Sequence, residues 1–219
     1  MKTLLVNLLA FLSILQIGCN AINQGDGTIG SIDKGNISKF SSLTIDGVFD
    51  VTINLNKDNK NIEIQGDINL LPLVDIKTDN DELQIRTIDD YKSENPIKLI
   101  INTDSIQKLS VDGVNAININ NINSESFSLE TSGVNIIALA GKVKDFTLIS
   151  KGTDTINAKE LISENAKLEL FGVPKIKVYS LYILSVNSHN SPAEVTYYGH
   201  PKYVLKEPQY GNCQIAKEQ

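Results

Sequence analysis

The chain has 219 residues, 20 Lys and Arg against 26 Asp and Glu, a formal net charge of −6, and 41% hydrophobic residues. That length supports one domain with a sizeable core, and the apolar content is too low for a multi-span membrane protein. A nucleic-acid binder needs a basic surface to neutralise phosphates, so no nucleic-acid partner is expected. Trp is absent, His occurs twice and Arg only at Arg86, a poor inventory for acid–base or nucleophilic catalysis.

In chain order, Lys2 precedes the apolar run Leu4 to Leu15. One cation and about a dozen apolar residues predict a secretory signal peptide over residues 1–18, too short to cross a bilayer, which takes about 20. Gly18-Cys19 then resembles the lipobox of bacterial lipoproteins, in which the cysteine is acylated and becomes the mature N-terminus. The residue three positions before it is Gln16 where that motif usually has Leu, and a rival cut after Ala21 places small residues at the two positions a general signal peptidase recognises. Lipid attachment at Cys19 would anchor the chain in a membrane, and Asn20 after it points to the outer membrane rather than to inner-membrane retention. In both readings Cys213 has no intrachain partner, so no disulfide staples the domain. Residues 19–38, with Gly25, Gly27, Gly30 and Gly35 among polar neighbours, are expected to form a flexible tether.

From residue 39 to residue 200 apolar and polar residues alternate in short runs rich in Val, Ile, Thr, Tyr and Phe, which is strand chemistry. Val51 to Leu55, Ile62 to Ile64 and Leu83 to Arg86 are examples. Four copies of a Leu-x-x-x-Gly string follow, ending at Gly113, Gly133, Gly152 and Gly172 with spacings of 20, 19 and 20 residues. A shorter copy, Leu184 to Ser188, replaces the glycine by serine, and an early cousin, Leu43 to Val48 around Gly47, nearly repeats Leu109 to Val114. Self-similarity with a period near twenty predicts a β-solenoid, a pile of layers each too small to bury its own apolar face. In one copy Phe127, Leu129 and Thr131 share a face, Ser132-Gly133 turns sharply, and Val134, Ile136 and Ala138 are expected to point inward. Fixed leucine-to-glycine offsets over four copies weigh against a β-sandwich, whose turns also recur at short intervals. Residues 201–219, carrying Lys and Pro, are expected to cap one end and guard its open edge.

The stretch Phe40 to Arg86 resembles the opening of the head GIN domain of bacterial auto-transporter adhesins. Ile45-Asp46-Gly47-Val48-Phe49-Asp50-Val51-Thr52-Ile53 matches that family's Ile-x-Gly-x-Phe-x-Val-x-Ile run. Gly66-Asp67-Ile68-Asn69-Leu70-Leu71 matches its Gly-Asp-x-Asn-Leu-Leu segment, and Leu83-Gln84-Ile85 its Leu-x-Ile strand. Near the end, Tyr197-Tyr198-Gly199-His200-Pro201 is similar to the family's Tyr-x-Gly-x-Pro turn. The resemblance implies an all-β, right-handed parallel β-helix of pectin-lyase-like shape, glycine-centred turns, a role in adhesion and no assigned catalytic residues. The turns here are Asp-Gly-Val, Ser-Gly-Val, Lys-Gly-Thr and Phe-Gly-Val rather than the Gly-Ser-Gly common in the family. The structural glycines are thus Gly47, Gly113, Gly133, Gly152, Gly172 and Gly199.

No catalytic set, metal site or cofactor is expected. His189 and His200 lack a second His or Cys at ligand spacing, and neither six-residue acyltransferase repeats nor calcium-binding nonapeptides occur. Asp112, Glu130, Asp154 and Glu169 sit at similar repeat positions. Stacked, they would form an outward carboxylate ladder that serves either as acid and base in a polysaccharide lyase or hydrolase or as a solubilising face. Asn115, Asn118, Asn120, Asn121 and Asn123 likewise suit sugar or protein contacts on a flat face, or turns and amide ladders. The leading expectation is a non-catalytic, exported envelope protein binding a host, matrix or envelope protein or a glycan, with pairing between copies also open to it. A carbohydrate-active enzyme and a periplasm-facing structural lipoprotein are the alternatives.

Overall fold

The computed structural model describes residues 22–206 and 212–218; the expected signal peptide and Cys19 lie outside the described residues. The described chain is all-β apart from one 3-10 turn at Leu71–Leu73. Two early pieces, β1 (Asn23–Gln24) and β2 (Ile29–Asn36), precede β3 (Ser42–Asn54) and β4 (Asn61–Asp67). A hairpin, β5 (Val74–Asp79) and β6 (Glu82–Thr87), is followed by β7 (Tyr91–Lys92) and β8 (Lys98–Asn102). Its two-residue loop, Asn80-Asp81, has φ of 46° and 72°, the left-handed pair that matches the twist of a hairpin.

Then come the long strands β9 (Lys108–Thr131), β10 (Val134–Ser150), β11 (Thr155–Leu170) and β12 (Lys175–Asn187), and the short β13 (Glu194–Tyr198), β14 (Tyr203–Lys206) and β15 (Gln214–Lys217). β9 lies parallel on β3, each of β10 to β13 on its predecessor, β14 on β12 and β15 on β13. The partner offset is 20 at Val114↔Val134 and 19 at Thr131↔Ser150, and 20 again at Thr155↔Lys175, the period of the glycines. The early string is no coincidence of spelling, because Leu43 to Val48 pairs residue for residue with Leu109 to Val114.

Alternation along each strand and registration between strands turn the core into columns. Leu129, Leu148, Leu168 and Val186 are consecutive partners and completely buried. Val51, Ile117, Ile137, Ile156, Ile176, Val195 and Ile215 form a second column through seven strands. Phe127 stacks on Phe146 with ring centroids 6.3 Å apart. Neighbouring strands lie about 4.8 Å apart, so like packs on like, and each fully buried Leu, Ile or Phe contributes about 1.5–3 kcal/mol.

The sheet is nevertheless mixed. β2 with β4, β4 with β8 and β5 with β6 pair antiparallel, where a parallel solenoid was expected to begin at residue 39. The cause is the length of chain between β3 and β9, which is far longer than one layer and folds back on itself before returning to lie on β3. The glycine-rich stretch expected as a tether also contains a strand, since Ile29 to Asn36 pairs with Asn61 to Asp67.

One alternation is reversed. Val134 and Ile136 are 52% and 64% exposed, whereas Asn135 and Ile137 are 1% and 0% exposed. A slip of one residue swaps every side chain between faces. Here the buried position after the turn goes to the asparagine, whose amide donates to the Ser132 carbonyl at 2.7 Å.

Candidate binding site

The turns stack as directly as the strands. A Cβ on Gly113 would overlap the Gly47 carbonyl oxygen, one on Gly133 that of Gly113, one on Gly152 that of Gly133, and one on Gly172 that of Gly152. Gly133 also has φ of +85°, which L residues avoid, but Gly152 and Gly172 have ordinary backbone. For those two, close approach alone demands glycine.

Behind the ladder runs a buried polar seam. Asn115 Nδ2 donates to Asn135 Oδ1 at 3.1 Å, and Asn135 Nδ2 to Asp154 Oδ1 at 2.9 Å. Thr131 and Ser150 hydroxyls donate to Asp154 Oδ2 at 2.7 and 2.6 Å.

The expected outward ladder of four carboxylates does not form. Asp154 is buried in the seam, 2% exposed. Asp112 accepts from the Ser132 hydroxyl and belongs to the Asp46 column. Glu130 and Glu169 do share a column, but Ile149 lies between them. The Lys151 ammonium, 2.6 Å away, holds Glu130 below the usual glutamate range. Burial pushes Glu169 up, yet hydrogen bonds from His189 and Lys167 outweigh it and hold that carboxyl low as well. A general acid needs the opposite shift.

His189 Nε2 lies 2.8 Å from Glu169, its ring stacked on Phe171 at 4.1 Å, while His200 lies at the terminal turn. Among the described residues no group of three His, Cys, Asp or Glu is placed to hold a metal ion. Partial burial pushes the Cys213 thiol up against a weaker hydrogen bond from Ser188. Of the asparagine run, Asn115 joins the seam and Asn121 takes a left-handed φ of 63°, while Asn118 and Asn123 are exposed.

Two surface features remain. Val48, Val114 and Val134 are consecutive partners, and with Val173 they line the glycine ladder as an apolar column, each 43–54% exposed. The signal was the apolar residue after each turn glycine, interrupted only by Thr153. The second feature is the C-terminal end. Six of the seven tyrosines lie at or beyond residue 179, whereas Phe40, Phe49, Phe127 and Phe146 are buried in the core. Tyr179 and Tyr198 are register partners and, with Gly199, His200, Lys217 and Glu218, line a cleft of about 550 Å³. Tyr182 and Tyr203 meet edge to face at 5.7 Å, under Lys202, whose Nζ is 5.6 and 5.3 Å from the two ring centroids.

Residues 39–201 match the model of the "Putative auto-transporter adhesin, head GIN domain" family. The chain belongs to this family. Two solved structures have the same fold. One is a "putative adhesin" of Bacteroides fragilis (16% identity, TM-score 0.67, 89% of this chain and 99% of that one). The other is a "putative lipid binding protein" of Parabacteroides distasonis (16% identity, TM-score 0.58, 90% of this chain and 99% of that one). No curated protein matches the sequence.

The residues that resembled the head GIN family have physical work in the structure. Asp67, fully buried, accepts from the Ser93 hydroxyl and, at 3.3 Å, from the Asn95 amide. Asn69 accepts from the Asp26 backbone N–H and donates to the Gln24 carbonyl at 2.8 Å. Leu70 and Leu71 enter the core. The Gly-Asp-x-Asn-Leu-Leu segment is therefore a clamp on residues 24–28. In the terminal turn Gly199, with φ of +83°, lies so close to the Ser180 carbonyl and the Tyr179 ring that a Cβ would collide with both.

Proposed function

We propose that this chain is a non-catalytic, exported cell-envelope adhesin or scaffold, built as a right-handed parallel β-helix of about twenty residues per layer and binding a protein or glycan partner through its outer surface. The observation that carries the reading is the in-register stack itself. A rigid pile repeats its outward side chains at fixed intervals, and here it aligns Val48, Val114 and Val134 into one exposed column, a contact surface rather than a reaction centre. Membership of an adhesin family and the apolar leader support export to the surface. The hand follows from the general preference of parallel crossover connections.

The division of labour is a signal peptide over 1–18, Cys19 as the lipid attachment point, the solenoid over 39–200, and a terminal cap from 201. β14 and β15, paired to β12 and β13, support that cap.

The test is a deletion strain. Loss of attachment to a broad panel of cells, matrix proteins and immobilised glycans, restored by the gene in trans, supports the reading, and unchanged attachment across the panel overturns it. Mass spectrometry of the mature N-terminus separates acylated Cys19 from a free Ile22. Protease treatment of intact cells separates surface display from a periplasmic position.

A further inference from the structure

We infer that the C-terminal cleft lined by Tyr179 and Tyr198 is a glycan-binding site that takes an uncharged hexose unit. This deepens the proposed adhesive function, on which it rests.

The argument begins with where the aromatic residues are. The chain has no Trp, and Phe40, Phe49, Phe127 and Phe146 are buried in the core, so beside Phe171 the large rings at the surface are tyrosines. A tyrosine has an apolar face and a polar tip, which suits a site wet on one side. Tyr179 and Tyr198 are partners on adjacent strands, one sheet spacing apart. Gly199 packs its backbone directly against the Tyr179 ring edge and the Ser180 carbonyl, where a side chain would collide with both, and so fixes the turn that carries Tyr198. The cleft, about 550 Å³, falls in the range of small-molecule sites, which combine apolar walls with a few convergent polar groups.

A pyranose ring is amphipathic in the same way. Its faces present C–H groups, weakly positive, which fit the negative face of an aromatic ring, and its rim presents hydroxyls. The lining also includes His200, Lys217 and Glu218, residue types that carry both donors and an acceptor for such a rim. The Glu218 backbone N–H donates to the Tyr197 carbonyl at 3.0 Å, so the terminal strand fixes that side of the cleft. The mixed rim charge and the overall charge of −6 favour an uncharged sugar over an acidic one.

The neighbouring aromatic pair serves as the contrast. Lys202 already sits over the rings of Tyr182 and Tyr203, a cation–π arrangement that occupies their faces. Among the described residues no cation is set over Tyr179 or Tyr198 in that way.

The test is saturation-transfer NMR on the purified full-length protein with maltohexaose, cellohexaose, mannohexaose and chitohexaose as probes, and affinity by calorimetry. At least one probe is expected to bind, with transfer strongest to ring C–H protons. Tyr198→Ala is expected to weaken binding about tenfold or more, while Tyr198→Phe, which keeps the ring, stays within about threefold of the parent. Tyr182→Ala, outside the cleft, should leave binding unchanged and doubles as a control for folding. Absence of binding by all four probes, or equal loss in Tyr198→Phe and Tyr198→Ala, overturns the site. If the probes fail while the deletion strain still loses attachment, the cleft proposal falls and the adhesive function stands.

Discussion

At the scale of single residues, the turn glycines separate two physical demands that usually travel together. Gly27 has φ of +79° and open space where a Cβ would go, Gly152 has an ordinary backbone but meets Gly133, and Gly133 has both constraints. Gly27→Ala should therefore cost about 1 kcal/mol of backbone strain, Gly152→Ala about 1–3 kcal/mol of overpacking, and Gly133→Ala more than either. Thermal melts followed by circular dichroism will rank them, each kcal/mol moving the midpoint by about 2–4 °C in a chain of this size. Acid acts on the outer face. Glu130 and Glu169 are both held below the ordinary glutamate value of 4.5 by their cationic neighbours. A carboxyl with a depressed folded value contributes stability above its unfolded value and loses it as pH falls through the folded one. Glu130→Gln with Glu169→Gln should thus lower the midpoint at neutral pH and flatten the decline below about pH 4.5. A double variant that tracks the parent at every pH would remove this assignment.

At the scale of elements, legibility in the sequence depended on whether a partner was close. The leucine-to-glycine spacing exposed the layers because each strand of the later stack meets its neighbour one repeat away. The near-identity of Leu43–Val48 and Leu109–Val114 was visible, but their direct pairing was not, because spacing says nothing about what lies between them. The strand at Ile29–Asn36 was hidden for a related reason: composition records its glycines, while its existence depends on β4 and on Asp67 and Asn69. Alternation failed at Val134 because a turn resets the parity, and hydrophobicity alone could not announce that a buried asparagine takes the inner position. Repeat position alone does not distinguish the seam holding Asp154 from the outer face holding Glu130. These contacts make the clamp testable. Asn69→Ala should remove the bonds to the Asp26 N–H and the Gln24 carbonyl and loosen the N-terminal segment, a cost of about 1–3 kcal/mol. Hydrogen exchange should quicken across Ile29–Asn36, with the amides of β10 and β11 still protected. Equal loss of protection in both regions would show that the clamp belongs to one cooperative unit with the stack.

At the scale of the whole molecule, a stack held by nearest-neighbour contacts has stability that is close to a sum over layers and interfaces. Among the described residues its interior strands β10 and β11 have partners on both edges, and its last strands, β14 and β15, on one. The tyrosines are gathered toward one end of that gradient, while Phe40, Phe49, Phe127 and Phe146 lie inside. With no tryptophan in the chain and six of seven tyrosines at or beyond residue 179, ultraviolet emission becomes a regional gauge. A denaturation curve followed by tyrosine fluorescence will report when the tail of the molecule lets go, and a curve followed by amide ellipticity will report the rest. Any gap between the two midpoints measures how far fraying at one terminus runs ahead of global melting, without a single label being attached.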